Sequence, residues 1–80
     1  MGGLRMFHVL LVDDEPLVRL RIKALTDWEK YGYAITGEAS DGTEALRMLE
    51  QRVFDILLID INMPGMDGIT LIREMKERNI

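Results

Sequence analysis

Short apolar runs alternate with amphipathic stretches along this chain. Phe7-His8-Val9-Leu10-Leu11-Val12 is almost continuously apolar and stops on Asp13-Asp14, a pattern that suits a parallel strand covered on both faces. Pro16 presets φ near the helical value and lacks only an N–H that a first turn leaves unused, so a helix is expected to begin there. Val18, Ile22 and Leu25 form its expected inward stripe. Lys30-Tyr31-Gly32-Tyr33 breaks that helix, and Ala34 to Ala39 is expected to be a second strand, with Ile35 and Ala39 among its core contacts. Ser40-Asp41-Gly42 predicts a turn, and Asp41 with Glu44 forms a capping-box pattern in which Asp replaces Ser or Thr. The helix so opened runs to about Arg52 and should bury Ala45, Leu46 and Leu49. Asp55 to Asp60 is the third expected strand, built around Ile56-Leu57-Leu58-Ile59. A loop with Pro64, Gly65 and Gly68 then leads to a last helix, with Asp67 as N-cap, Ile69, Ile72 and Met75 as buried stripe, and Glu74 and Arg78 paired across one turn.

The order strand, helix, strand, helix, strand, helix with short connections implies crossovers and a parallel sheet, that is, an α/β chain forming at least half of a doubly wound domain. Residues 1–6 are expected to be a flexible start and 7–80 a single unit. The 48% hydrophobic and 30% charged composition is that of a globular chain. Cysteine is absent, which excludes disulfides and thiolate zinc sites and makes the cytoplasm the default expectation. No apolar run approaches a membrane span, and Asp13, Asp14 and Glu15 interrupt the first one too early for a secretory signal. Gly2 lacks the Ser or Thr that myristoylation wants, because Met6 stands there. A net charge of −4, with basic residues scattered, argues against direct nucleic-acid binding by this segment.

The positions of the aspartates matter more than their number. Ligands of open parallel sheets bind outside the carboxyl ends of the strands, and Asp13, Asp14 and Asp60 all fall at such ends. A single aspartate there is commonly a cap or turn former. If the first and third strands are neighbours, however, the carboxylates converge, and like charges so placed call for a cation. A pocket of oxygen ligands without His or Cys favours Mg²⁺, which keeps several waters and phosphate oxygens in its shell. His8, the one histidine, is expected to be structural or solvent-facing. Glu15 is read as a solvated neighbour of the site, and Met63 and Met66 as loop contacts beside it.

Leu10-Leu11-Val12-Asp13-Asp14-Glu15-Pro16, Gly37-Glu38-Ala39-Ser40-Asp41-Gly42-Thr43-Glu44-Ala45-Leu46 and Asp55 through Gly68 (DILLIDINMPGMDG) together resemble the receiver domain of two-component response regulators. The resemblance implies a flavodoxin-like sheet in strand order 2-1-3. It implies that Asp60 is the phosphoacceptor, charged from a phosphohistidine of a sensor histidine kinase. It implies that Asp13, Asp14, Asp60 and the backbone carbonyl of Asn62 hold Mg²⁺, with Glu15, Met63, Pro64 and Gly65 at the pocket rim. The segment Asp27-Trp28-Glu29-Lys30-Tyr31-Gly32-Tyr33 further resembles receivers that precede AraC-type helix-turn-helix modules, which implies a transcriptional output; Trp28 and Tyr31 could equally be local packing.

The resemblance covers the first three strand-helix units of the family. No residue here matches the family's Ser or Thr after strand four or its Lys after strand five; Lys76 lies in the last helix and does not take that role. A third strand without an outer neighbour is a template for pairing, so self-association through that edge is expected. One alternative is an isolated half-domain that self-associates and is not competent for phosphorylation. A haloacid dehalogenase-type phosphohydrolase is disfavoured, because its general acid would fall at Asn62 and an amide cannot protonate a leaving group.

Overall fold

The structure, a computed structural model, describes residues 5–60 and 67–80. Three parallel strands, β1 (Phe7–Val12), β2 (Tyr33–Ala39) and β3 (Ile56–Ile59), form one sheet in the order β2-β1-β3. Helices α1 (Pro16–Ala24), α2 (Gly42–Gln51) and α3 (Gly68–Glu77) alternate with them, and a 3-10 turn spans Trp28–Tyr31. The expected α/β fold and strand order are therefore the observed ones.

β1 is the buried centre of the sheet: Val9, Leu10, Leu11 and Val12 are all at most 1% exposed, which is why this strand can be apolar at successive positions. Leu10 and Val12 pack with Ala39, Ala45, Leu46, Leu49 and Leu71 on the face covered by α2 and α3. Leu11 and Leu58 lie on the other face, with Ile22 of α1. The β1–β3 pairing runs in register from Val9↔Ile56 to Val12↔Ile59. The β1–β2 register instead shifts between Val9 and Leu10, so Thr36 is skipped and Leu10 faces Gly37. That bulge, which no sequence pattern announced, turns Gly37 inward. A Cβ on Gly37 would stand 2.8 Å from both Met48 Cε and Phe54 Cζ, so any larger residue here has to displace the ends of those two side chains.

Two helix starts are closed as expected. Asp41 Oδ1 accepts the Glu44 N–H at 2.8 Å and Asp67 Oδ1 the Thr70 N–H at 2.8 Å. Glu44 does reach back, but to the N–H of Ser40 at 2.7 Å, one residue before the cap. The predicted buried residues of α2 are buried, with Ala45, Leu46 and Leu49 at 0, 4 and 8% exposure. The Glu74–Arg78 pair is present at 3.5 Å, and Arg78 also bridges to Glu50 of α2 at 3.3 Å.

Two expected stripes are corrected. On α3, Ile69 and Ile72 are 55% and 51% exposed, whereas Leu71 is fully buried and Met75 half-buried. Docking on α2 turns the face of Gly68, Leu71 and Met75 inward, about 100° round the helix from Ile69 and Ile72. On α1, Val18 and Ile22 are half-buried and Leu25 is 77% exposed. The helix ends at Ala24, leaving Leu25 beyond the last turn at the mouth of a groove of about 480 Å³ over Leu11 and Leu58. The boundaries shift slightly as well, β2 beginning at Tyr33 and α2 ending at Gln51. Asp55 and Asp60 flank β3 rather than lying in it, although both N–H groups still bond to β1, at 2.8 Å to His8 O and 2.9 Å to Val12 O.

The break after α1 has a mechanical cause. Trp28 Nε1 donates to the carbonyl of Ile22 at 2.9 Å, and the indole meets Tyr33 edge-on at 6.4 Å. Gly32, at φ 88°, then turns the chain into β2 through a conformation that costs other residues strain, and its carbonyl accepts the Phe7 N–H at 2.8 Å. Trp28 thus has a packing role, while Tyr31 is 64% exposed. His8 is exposed, as expected, and its backbone N–H donates to Asp55 Oδ2.

Three carboxylates are held below their ordinary range. Glu38 is lowered first by its hydrogen bond from Lys23, aided by Arg19 and opposed by partial burial. Asp55 is lowered chiefly by the backbone N–H of His8, and Asp67 by that of Thr70. A depressed folded-state pKa gives stability that is complete above the unfolded value and is lost as pH falls through the folded one. Unfolding midpoints in urea should therefore decline on acidification, starting near pH 4.5 for Glu38 and 3.8 for the aspartates. Glu38→Gln should make that decline shallower at its upper end. An identical acid profile for this variant would exclude the Glu38 contribution.

Candidate functional site

Backbone hydrogen bonds align the carboxyl ends of the three strands. The Asp13 N–H donates to Ala39 O at 3.0 Å and the Asp60 N–H to Val12 O at 2.9 Å, so β2, β1 and β3 are locked together just where the aspartates emerge. Asp13 is 8% exposed and the only buried charged or polar residue among those described. Asp14 and Asp60 are half-buried. One carboxylate oxygen from each of Asp13, Asp14 and Asp60 lies within 4.8 Å of the others. The convergence expected from neighbouring first and third strands is thus present.

Asp13 is also a turn former. Its Oδ1 accepts the Glu15 N–H at 2.9 Å, and the Glu15 carbonyl receives the N–H groups of Val18 and Arg19, both at 3.1 Å. Glu15 itself is exposed and makes no side-chain cap to α1. Arg19 was not singled out by any sequence pattern, yet its Nη1 donates to the backbone carbonyl of Asp13 at 2.6 Å and its Nε to Glu38 Oε1 at 3.1 Å. Lys23 holds the other Glu38 oxygen at 2.7 Å. Of the other expected site residues, Asn62, Met63, Pro64 and Gly65 lie outside the described residues.

The donor set fits a hard divalent cation. All donors are carboxylate oxygens, and opposite ligands of an octahedral Mg²⁺ with bonds of about 2.1 Å stand about 4.2 Å apart. Carboxylate oxygens within 4.8 Å of one another would hold such a cation directly or through water. A cation also relieves the repulsion of carboxylates gathered at a rigid strand end.

Fold and site together define a response regulator receiver domain. The model of that family matches residues 9–80, so this chain belongs to it and to two-component signalling. Among curated proteins, it is 39% identical over 71 residues to a putative transcriptional regulator of Pseudomonas aeruginosa, covering 89% of this chain and 33% of that protein. It is 33% identical over 72 residues to the nitrate/nitrite response regulator NarL of Escherichia coli, covering 90% of this chain and 33% of NarL. The chain thus spans about a third of these relatives. Among solved structures, the REC domain of AraT from Geobacillus stearothermophilus superimposes with a TM-score of 0.81 at 38% identity, covering 90% of this chain and 56% of that one. TrrA of Thermotoga maritima, solved in complex with Mg²⁺-BeF, gives a TM-score of 0.78 at 34% identity, over 91% and 61% of the two chains. Among the described residues, no helix is long and apolar enough to cross a membrane.

Proposed function

We propose that residues 7–80 are the acidic half of a receiver and that Asp60 accepts a phosphoryl group from the phosphohistidine of a sensor histidine kinase. The observation that carries this reading is the convergence of Asp13, Asp14 and Asp60 at the strand ends. In the transfer, a carboxylate oxygen of Asp60 forms the new P–O bond, the P–N bond to the imidazole breaks, and the imidazole nitrogen recovers a proton. A carboxylate is a weak nucleophile, and its attack on an anionic phosphoryl group is opposed by charge, so positioning and charge neutralisation carry the catalysis. Mg²⁺ supplies that neutralisation when bound. Asp13, Asp14, Asp60 and the Asn62 carbonyl are its proposed ligands, and Glu15, Met63, Pro64 and Gly65 the rim. The direct test is intact-mass analysis after incubation with Mg²⁺ and acetyl phosphate, with one added phosphoryl group expected. An unmodified chain that is folded would favour the alternative of a half-domain without phosphorylation chemistry.

The parent protein is proposed to work in the cytoplasm and to regulate transcription through a DNA-binding output domain. Support comes from relatives named as transcriptional regulators, among them a solved two-component transcriptional regulator AraC from Clostridium phytofermentans that is 32% identical over 90% of this chain. Self-association is part of the same proposal. Among the described residues β3 pairs only with β1, and the groove beside it is lined by Ile22, Leu25, Trp28 and Leu58. Sedimentation equilibrium of this 80-residue chain at micromolar concentration should give a mass above the monomer. A stable monomer would refute this part.

A further inference from the structure

We propose that Arg19 is a positioning residue of the acidic cluster, acting on the Asp13 and Asp14 carboxylates through the peptide that joins them; this rests on the reading of that cluster as a Mg²⁺ site. The carbonyl that Arg19 Nη1 grips at 2.6 Å belongs to the peptide unit linking Asp13 to Asp14. That unit is planar, so holding its oxygen restrains ψ of Asp13 and φ of Asp14, two of the rotations that decide where their side chains leave the backbone. The backbone on either side is already pinned, by Asp13 N–H to Ala39 O and by Glu15 N–H to Asp13 Oδ1. Of the anchors on this turn, Arg19 is the one that comes from a distant side chain and can be removed by substitution.

The grip is itself held in place. The Arg19 side chain is only 17% exposed, and its Nε is engaged by Glu38 of β2, whose second oxygen is taken by Lys23. The planar guanidinium therefore spans from β2 to the β1–α1 turn, one N–H on each, a fork that the single ammonium of Lys cannot reproduce. Glu38 orients the guanidinium but touches neither aspartate through any bond described. Residues that orient metal-binding groups from outside the ligand set typically change affinity by about tenfold to a hundredfold when lost. A positive charge beside gathered carboxylates also stabilises them when the cation is absent, so charge and geometry have to be separated experimentally.

The test is isothermal titration calorimetry with MgCl₂ on the native chain, Arg19→Ala, Arg19→Lys and Arg78→Ala, with urea unfolding of each metal-free chain alongside. Arg19→Ala should weaken Mg²⁺ about tenfold. Arg19→Lys should recover only part of that loss, because it restores the charge without the fork. Arg78→Ala removes an arginine whose ion pairs are to Glu50 and Glu74, away from the aspartate turn, and should stay within about twofold of native. Native-like affinity in Arg19→Ala, or a loss in Arg78→Ala equal to that in Arg19→Ala, would overturn the proposal. Should Arg19→Ala fail to fold, the comparison passes to the other two variants, and Arg19→Lys binding no more weakly than Arg78→Ala overturns it. A native chain that does not bind Mg²⁺ would instead sink the underlying metal-site reading, an outcome distinct from these.

Discussion

Leu10→Ala should cost about 3 to 5 kcal/mol, the upper part of the range for truncating a buried leucine. Leu10 is fully buried at the centre of β1, enclosed by Val12, Ala39, Leu46, Leu49 and Leu71, with Phe54, Leu57 and Met75 packed around them. A cavity there is bordered by strands on both sides and by α2 and α3 above, so its walls have little freedom to collapse. Chains of this size have total stabilities of about 4 to 12 kcal/mol on the usual per-residue scale. The variant should therefore be marginally folded or unfolded at 25 °C, as seen by circular dichroism and urea titration. Leu20→Ala makes the same chemical change on α1 at a residue 57% exposed and should stay within about 0.5 kcal/mol of native. Similar losses for the two variants would show that the core does not sit where β1 meets α2 and α3.

The second large effect is chemical. Asp60→Asn keeps the size of the side chain and removes the proposed nucleophile, so phosphoryl capture from acetyl phosphate should fall to background. The fold should survive, because the Asp60 N–H bond to Val12 O is made by the backbone, and removing one of three gathered charges relieves repulsion in the metal-free chain. Asp14→Asn should behave differently, raising the Mg²⁺ concentration needed for capture while leaving the nucleophile in place. Undiminished capture in Asp60→Asn, by intact mass, would move the acceptor elsewhere.

Much of this molecule was legible because local signals and tertiary demands coincide. β1 announces itself as an apolar run since both faces of the central strand are covered, β3 is an equally apolar run although its residues are only half-buried, and α2 shows a clear stripe whose Ala45, Leu46 and Leu49 are the buried ones. Asp13, Asp14 and Asp60 stood out because a carboxylate directly after such a run has only the strand end to occupy. The buried face of α3 departs from the expected stripe for a definite reason. Ile69, Leu71, Ile72 and Met75 satisfy helical spacing on two adjacent faces, and docking against α2 chooses between them. Leu25 shows the complementary limit, since periodicity states which way a residue points but not whether anything lies opposite. The skipped Thr36 in the β1–β2 register and the reach of Arg19 from α1 to the Asp13 carbonyl arise from geometry between elements, and no spacing along the chain encodes them.

The central claim is that Asp60, among the carboxylates gathered at the strand ends, is the one that carries phosphate. The chain would be incubated with acetyl phosphate with and without Mg²⁺, then treated with borohydride, which reduces an acyl phosphate to an alcohol and marks its position permanently. Peptide mass spectrometry would then locate the mark. A reduced side chain at position 60 that appears only with Mg²⁺ is the predicted result. A mark on Asp13 or Asp14, or none on a chain shown to be folded, would contradict it.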